Sequence, residues 1–256
     1  MSSKRYQVLC FILGLACYSC APLMYKPNMV NTPQLSEKNE FKGSGNINIT
    51  TPALDIQTAY ALSDHIGIMA NISTGGKIII TDTTNSHKHT FGELGVGYFY
   101  KLGDNAIFAF FGGFGRGRAS AIDREKRLFG GRRFEYIDGF YNRWFLQGEV
   151  GAVRRPANDL KYRFVPSLAI RYTNVYFSKY ESNYPLDNFL PRRVMIEIAP
   201  TFRISNGLLS FIVQPGFSLP FLLYPNNDKS SFMINPFMIH VGMEFINKKR
   251  KSSVLE

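Results

Sequence analysis

The chain reads as an all-β, up-and-down antiparallel membrane barrel of about ten strands with short periplasmic turns and longer outer loops. Three observations predict this. Stretches such as FGELGVGYFYKLGDNAIFAFFGGFGRGRAS (91–120) alternate small and large residues on both sides of a polar turn. That is the two-residue rhythm of a strand, whereas helical neighbours recur every three or four residues. The links between such stretches alternate short and long, as the turns and loops of a bacterial barrel do. Finally, no segment approaches the roughly 20 unbroken apolar residues that a membrane helix needs.

The elements follow in order. Lys4 and Arg5 precede the apolar run VLCFILGLA (8–16), which is too short to span a bilayer. This is the layout of a secretory leader. Residues 1–19 are read as a lipoprotein signal peptide, with small Ser19 before the cleavage point and Cys20 acylated. Cys17 is less suited, because Gly14 stands three places before it; it also stands where an aliphatic residue is usual for cleavage at Cys20. Cys17 and Cys20 form a C-x-x-C with neither a βαβ unit nor a second ligand pair nearby, which argues against redox and zinc readings. All 3 cysteines lie in this leader region, so an exported body must hold together without disulfides. Residues 20–39 lack periodicity and carry Pro22, Pro27 and Pro33, which predicts an extended tether. The barrel domain is placed at 40–247, and 248–256 is a basic polar tail.

Within the barrel domain, strands are expected at 40–50, 54–63, 65–82, 87–101, 105–120, 136–153, 161–178, 193–204, 207–219 and 233–247. Short links fall at 63–65, 102–105, 154–159 and 205–207. Longer ones fall at 82–86, 121–135, 181–192 and 220–231, with 51–53 a brief exception on that side. One face of these strands is apolar, as in Leu94, Val96, Leu146, Ile170 and Val213. The other mixes small residues with isolated charges, as in Gly97, Gln147, Ser167 and Gln214. Small residues among charges suit a crowded lumen, and the apolar face ends in aromatics such as Tyr98, Tyr100, Phe164 and Tyr172, which suit membrane interfaces. The apolar face is therefore assigned to lipid, and alanine at Gly97 or Ser167 is expected to cost far less than an arginine in mid-strand on the apolar face. Pro166, Pro200, Pro215 and Pro236 fall inside expected strands and remove ladder donors, which predicts bulges near the rims or an open stretch of sheet.

Cys20-Ala21-Pro22, YKPNMVNTPQLSEKNEFKGSGNI (25–47), DIQTAYALSDHIGIMANIS (55–73) and HKHTFGELGVGYF (87–99) resemble a group of uncharacterised Bacteroidota outer-membrane β-barrel lipoproteins. The resemblance implies an exported, lipid-anchored barrel and no assigned chemistry. The chain departs from that pattern after Phe245, where Lys248, Lys249, Arg250 and Lys251 follow the last strand.

Several side-chain groups bear on function. GGFGRGR (112–118) lacks the strand–loop–helix setting, lysine and hydroxyl of a phosphate loop, and reads as a crowded wall. His87 and His89 flank a lysine and read as a solvated loop end, so no metal site and no cofactor is expected. Ser63, Asp64 and His65 are adjacent in a turn and cannot converge as a triad. Glu93, Arg143, Glu149, Arg163, Arg171, Arg193, Glu197, Arg203 and Glu244 share the luminal face and are expected to form a structural charge network. His240 with Ser210 or Ser218 is the pairing that a lipid hydrolase would use. The net charge of +11 gathers partly at Arg116, Arg118, Arg124, Arg127, Arg132 and Arg133. These are expected around one long loop that reads first as a solvated surface; if it faces outward, the phosphates of outer-membrane lipid or lipopolysaccharide headgroups are the nearest anionic partner. Export argues against a nucleic-acid partner.

The function these observations predict is a lipid-anchored, non-enzymatic outer-membrane barrel with a structural or surface-interaction role. The alternatives are a barrel-borne lipid hydrolase and a tethered, soluble lipocalin-like barrel. Acylation is tested by metabolic labelling with a fatty acid: Cys20→Ala should abolish incorporation and Cys17→Ala should leave it. Label that survives Cys20→Ala would move the anchor.

Overall fold

Ten antiparallel strands close on themselves in the computed structural model, which describes residues 23–76, 86–103, 105–126, 132–153, 162–183, 192–206, 208–220, 233–234 and 236–247. They are β2 (Phe41–Asn48), β3 (Ala53–Ala61), β4 (Ile66–Gly76), β5 (Ser86–Leu102), β6 (Ala106–Lys126), β7 (Arg132–Ala152), β8 (Arg163–Ser182), β9 (Arg192–Asn206), β10 (Leu209–Pro220) and β12 (Phe237–Asn247). Each strand pairs with the next in sequence, and β12 pairs with β2 to close the ring. Two short pieces, β1 (Leu23–Tyr25) and β11 (Met233–Ile234), pair in parallel apart from the barrel. The described residues contain no helix.

The links sort to two rims. At one, here the turn rim, fall 62–65, 103–105, 153–162 and 207–208; at the other, the loop rim, fall 49–52, 77–85, 127–131, 183–191 and 221–236. Two expectations are corrected. The long loop expected at 121–135 shrinks to 127–131, because β6 and β7 stay paired up to Lys126↔Arg132. The short turn expected at 154–159 becomes the wider link 153–162. The wall is uneven in height: β5 to β9 run 15–21 residues, the other barrel strands 8–12.

The faces divide as the alternation predicts. Leu94 is 69% exposed and Val96 58%, whereas Gln147 and Gln214 are 0% and 1% exposed. Apolar side chains outside and amides inside reverse the arrangement of a water-soluble barrel and match a wall that meets lipid. The glycine rhythm has a packing cause. A Cβ at Gly113 would lie 2.5 Å from Phe145, and one at Gly115 would lie 2.5 Å from Phe91. The glycines of β6 thus leave room for inward aromatics from β5 and β7.

Gly97 corrects an expectation. A Cβ there would overlap Phe111 and the Phe110 carbonyl, so the site has no space for a methyl. Ser167 is not neutral either, because its hydroxyl accepts from Arg203 Nη1 at 3.0 Å.

The sheet also absorbs its prolines without opening. Pro166 and Pro215 keep their places in the ladders with β9 and β12. Between β9 and β10 the pairing lapses from Val213↔Phe202 to Phe217↔Ile198 with unchanged register. That register sets Pro200 opposite Pro215, so two residues without N–H share one gap. The register shift within the barrel lies elsewhere, where β8 gains a residue against Phe140 and Tyr141. Pro236 stands just before β12.

The segment expected as a tether is extended, but from residue 25 to 36 it is buried, and it lies inside the barrel. From β1 beside the loop rim it runs down the lumen to Lys38, whose N–H donates to Asp64 in the turn rim at 3.0 Å. There the Asn39 N–H donates to the Ala61 carbonyl and β2 begins. Residues 1–22, including Cys20, and the tail 248–256 lie outside the described residues.

Val96→Arg should make insertion into bilayers less favourable by about 2–4 kcal/mol, the penalty for a cation near the midplane. Val96→Cys should report hydrocarbon to a bilayer-partitioning probe and resist a charged thiol reagent. Free reaction of Val96→Cys with the charged reagent would mean that the sheet is inside out.

Candidate functional site: the plugged lumen

The chain inside the barrel lacks a neighbouring strand, so the wall must satisfy its backbone with side chains. Pro27 and Pro33 remove two N–H groups from that demand. Gln214 of β10 stands in for a strand: its Oε1 accepts from the Val30 N–H and its Nε2 donates to the Val30 carbonyl, both at 2.9 Å. Gln57 of β3 donates to the Met29 carbonyl at 2.7 Å, and Gln147 of β7 to the Asn31 carbonyl at 2.7 Å. Lys42 donates to the Gln34 carbonyl at 2.8 Å. These wall side chains, together with Arg203 on the Thr32 carbonyl, hold the plug by its backbone.

Two ionic groups brace this arrangement. In the upper one, Glu93 of β5 accepts from Arg143 of β7, from Arg171 of β8 at 3.2 Å and from Asn71 of β4 at 2.6 Å. Arg143 also donates to the Tyr25 hydroxyl at 2.7 Å and lies 4.1 Å from the centre of the Phe91 ring. Arg171 donates through Nε and Nη2 to Gln147 Oε1 at 2.9 and 2.7 Å and stacks 4.3 Å from Phe145. Asn71 in turn accepts from Asn31 at 2.7 Å. In the lower group, Arg203 of β9 donates to the Thr32 carbonyl at 2.5 Å, to Gln34 Oε1 at 3.1 Å and to Glu244 of β12 at 3.4 Å. Charges this deeply buried persist only when paired and hydrogen-bonded.

Of the predicted luminal charges, Glu93 meets Arg143 and Arg171, and Arg203 meets Glu244, while Glu149 and Glu197 join neither group. Glu93, Arg143, Glu149, Arg171, Glu197, Arg203 and Glu244 are all buried on the inner face. Arg163 and Arg193 are half-buried: Arg163 sits at the turn-rim start of β8, and Arg193 near the loop-rim start of β9. The partners missed from the sequence are Asn31, Thr32, Gln34 and Tyr25, all from the segment read as a linker.

Other candidates fare differently. His240 lies 3.2 Å from Asn48 Nδ2 and 3.3 Å from Asp55 Oδ2 and is 1% exposed. It pairs in register with Gln214, four residues from both Ser210 and Ser218, about 13 Å along the strand at the usual rise. The nucleophile–base pairing required of a hydrolase using these residues is therefore absent. His89 is no solvated loop end: it is buried in β5, 2.9 Å from the Tyr141 hydroxyl. The described residues hold no cluster of metal-ligating side chains. A cavity of about 10 Å³ lies beside Gln34, Lys42, Arg203 and Glu244, room for about one water.

The basic residues divide as well. Arg116 and Arg118 are exposed on the outer face of β6, beyond Phe114 towards the loop rim. Arg118 pairs with Asp138 at 2.5 Å. Arg124, Arg132 and Arg133 lie in the paired extension of β6 and β7, and Arg127 falls outside the described residues.

No protein-family model and no curated protein matches the chain. Among solved structures, the KdgM porin is similar over 80% of this chain and 98% of that one, at 10% identity and a TM-score of 0.32. The NanC porin is similar over 82% and 99%, at 11% identity and 0.28. LpxR from Salmonella typhimurium is similar over 80% and 99%, at 9% identity and 0.34. Likeness at this level says nothing about activity, substrate or location.

Glu93→Gln leaves two buried guanidinium groups without their shared carboxylate, a change expected to cost about 3–5 kcal/mol. Gln57→Ala removes one hydrogen bond to the plug and should cost about 1–3 kcal/mol. Urea midpoints in detergent should rank the two in that order; a neutral Glu93→Gln would contradict the bracing role.

Proposed function

We propose that the protein is a lipid-anchored outer-membrane barrel that acts as a closed structural or surface-interaction element, neither an open pore nor an enzyme. One observation carries the reading: an apolar outer wall surrounds a lumen filled by the chain's own N-terminal segment. An outer wall bearing Leu94, Val96, Phe108 and Phe110 at 45% exposure or more supports residence in lipid and speaks against a tethered lipocalin-like barrel. A lumen occupied by Tyr25, Met29 and Leu35, each 1% exposed or less, supports a closed barrel among the described residues. Burial of His240 away from serine removes the hydrolase geometry drawn from the sequence. Cys20 is the proposed acylation site, in keeping with the resemblance to Bacteroidota barrel lipoproteins. Lys88, Arg116 and Arg118 project from β5 and β6 at the loop-rim side of the apolar wall, and their charge suits phosphates of lipid or lipopolysaccharide headgroups.

Purified full-length protein should stay with membranes through an alkaline wash and give no stepwise conductance in planar bilayers. It should also release no fatty acid from labelled lipid A or phospholipid. Regular conductance steps would overturn the closed reading, and fatty-acid release the non-enzymatic one.

A further inference from the structure

The direction in which the plug runs bears on where a lipid at Cys20 can reside. Residues 25–36 traverse the lumen, and the order of their contacts gives the direction. Tyr25 meets Arg143 and Tyr141 on the tall wall, and Lys26 donates to the Thr51 carbonyl in a loop-rim link. Val30 and Asn31 lie midway against Gln214 and Gln147, and Gln34 reaches the Pro166 carbonyl close to the turn rim. Lys38 and Asn39 then meet the turn rim itself. The chain thus enters at the loop rim and leaves at the turn rim, and β1 pairs with β11 in the loop-rim link 221–236.

We infer that Cys20 lies on the loop-rim side, so that its acyl chains enter the outer leaflet and the mature N-terminus is exposed at the cell surface. This rests on the proposal that Cys20 is acylated and that the longer loops face outward. Three Cα–Cα steps lead from Cys20 to Leu23, a reach of about 10 Å when fully extended. The apolar band of a membrane barrel is about 25 Å tall, so this stub cannot carry a lipid to the opposite leaflet along the outside. The inside is closed to it. Leu35 fills the space beside Gly67, where a Cβ would lie 2.5 Å from its Cδ1, and the Gln34 amide occupies the space beside Gly151. The plug is therefore the link between a surface anchor and a barrel whose first wall strand starts at the periplasmic rim.

The test uses the full-length chain in intact cells. One variant carries a site-specific protease sequence inserted after Pro22, and a second carries the same sequence within 183–191. A third is Lys38→Cys, an exposed turn-rim position tied to the barrel through its backbone N–H. Heat-modifiable mobility confirms folding in each, and fatty-acid labelling is read in parallel. External protease should cleave both inserted sites without permeabilisation, and cleavage after Pro22 should strip the fatty-acid label from the barrel band. Lys38→Cys should react with an impermeant maleimide only after the outer membrane is opened. Cleavage at 183–191 with protection after Pro22 would overturn the inference, as would protection of both sites or labelling of Lys38→Cys in intact cells. If the insertion after Pro22 prevents folding, Pro22→Cys treated with an impermeant maleimide in intact cells serves instead, and failure of that thiol to react counts against the inference. Absence of fatty-acid label with surface cleavage intact would defeat acylation alone and leave the threading direction standing.

Discussion

A buried carboxylate, Glu93, joins three strands and the plug. It takes hydrogen bonds from Asn71, Arg143 and Arg171, and those donors reach Asn31, Tyr25 and Gln147 in turn. A barrel of ten strands encloses too little space for an aqueous channel of the kind found in much larger barrels, and too much polar wall to be left unfilled. The chain meets that constraint with its own N-terminal segment. Wall amides bond the plug backbone, and guanidinium groups lie over Phe91 and Phe145, so charge and aromatic bulk share the same narrow lumen. The glycines of β6 follow from this, because inward aromatics need the volume that side chains there would take.

The outer face answers to a different solvent. Its residues need only be apolar and of moderate size, which is why Leu, Val, Ile and Phe alternate there, with ring pairs such as Phe164 and Phe202 among them. The backbone is more constrained, since an unpaired group facing hydrocarbon is costly. Setting Pro200 against Pro215 is one way to carry two prolines in a closed sheet, because a single lapse in the ladder serves both. The bulge of β8 opposite Phe140 lies towards the loop rim, where the Ser178 hydroxyl donates to the Phe140 carbonyl at 3.3 Å.

Much of the barrel was legible because its signal has period two and each strand carries it many times over. Leu94 against Glu93, or Val213 against Gln214, is enough to orient a strand once the sign of the faces is decided. The upper parts of β6 and β7 were missed for a physical reason. Beyond the apolar band both faces of a strand can be polar, so Asp123 to Lys126 and Arg132 to Glu135 resemble a loop while remaining paired. The plug was missed for a related reason. A segment held by side chains of the wall has no periodicity of its own, and Pro27 and Pro33 read as linker residues though they suit a strand without a ladder. His89 was misjudged because the lysine beside it suggests solvent, yet Lys88 faces out and His89 faces in. Asn31, Thr32 and Gln34 could have been suspected from one feature: a wall lined with Gln57, Gln147 and Gln214 presents more amide capacity than its own charges use.

Amide hydrogen exchange across residues 28–36 in the folded protein tests the central claim most directly. A plug bonded to Gln214, Gln147 and Arg203 should exchange as slowly as the middle of β7, with protection lost only when the barrel itself unfolds. Complete exchange of 28–36 within seconds, while β7 stays protected, would mean that the segment hangs free and that the lumen is held by the wall alone.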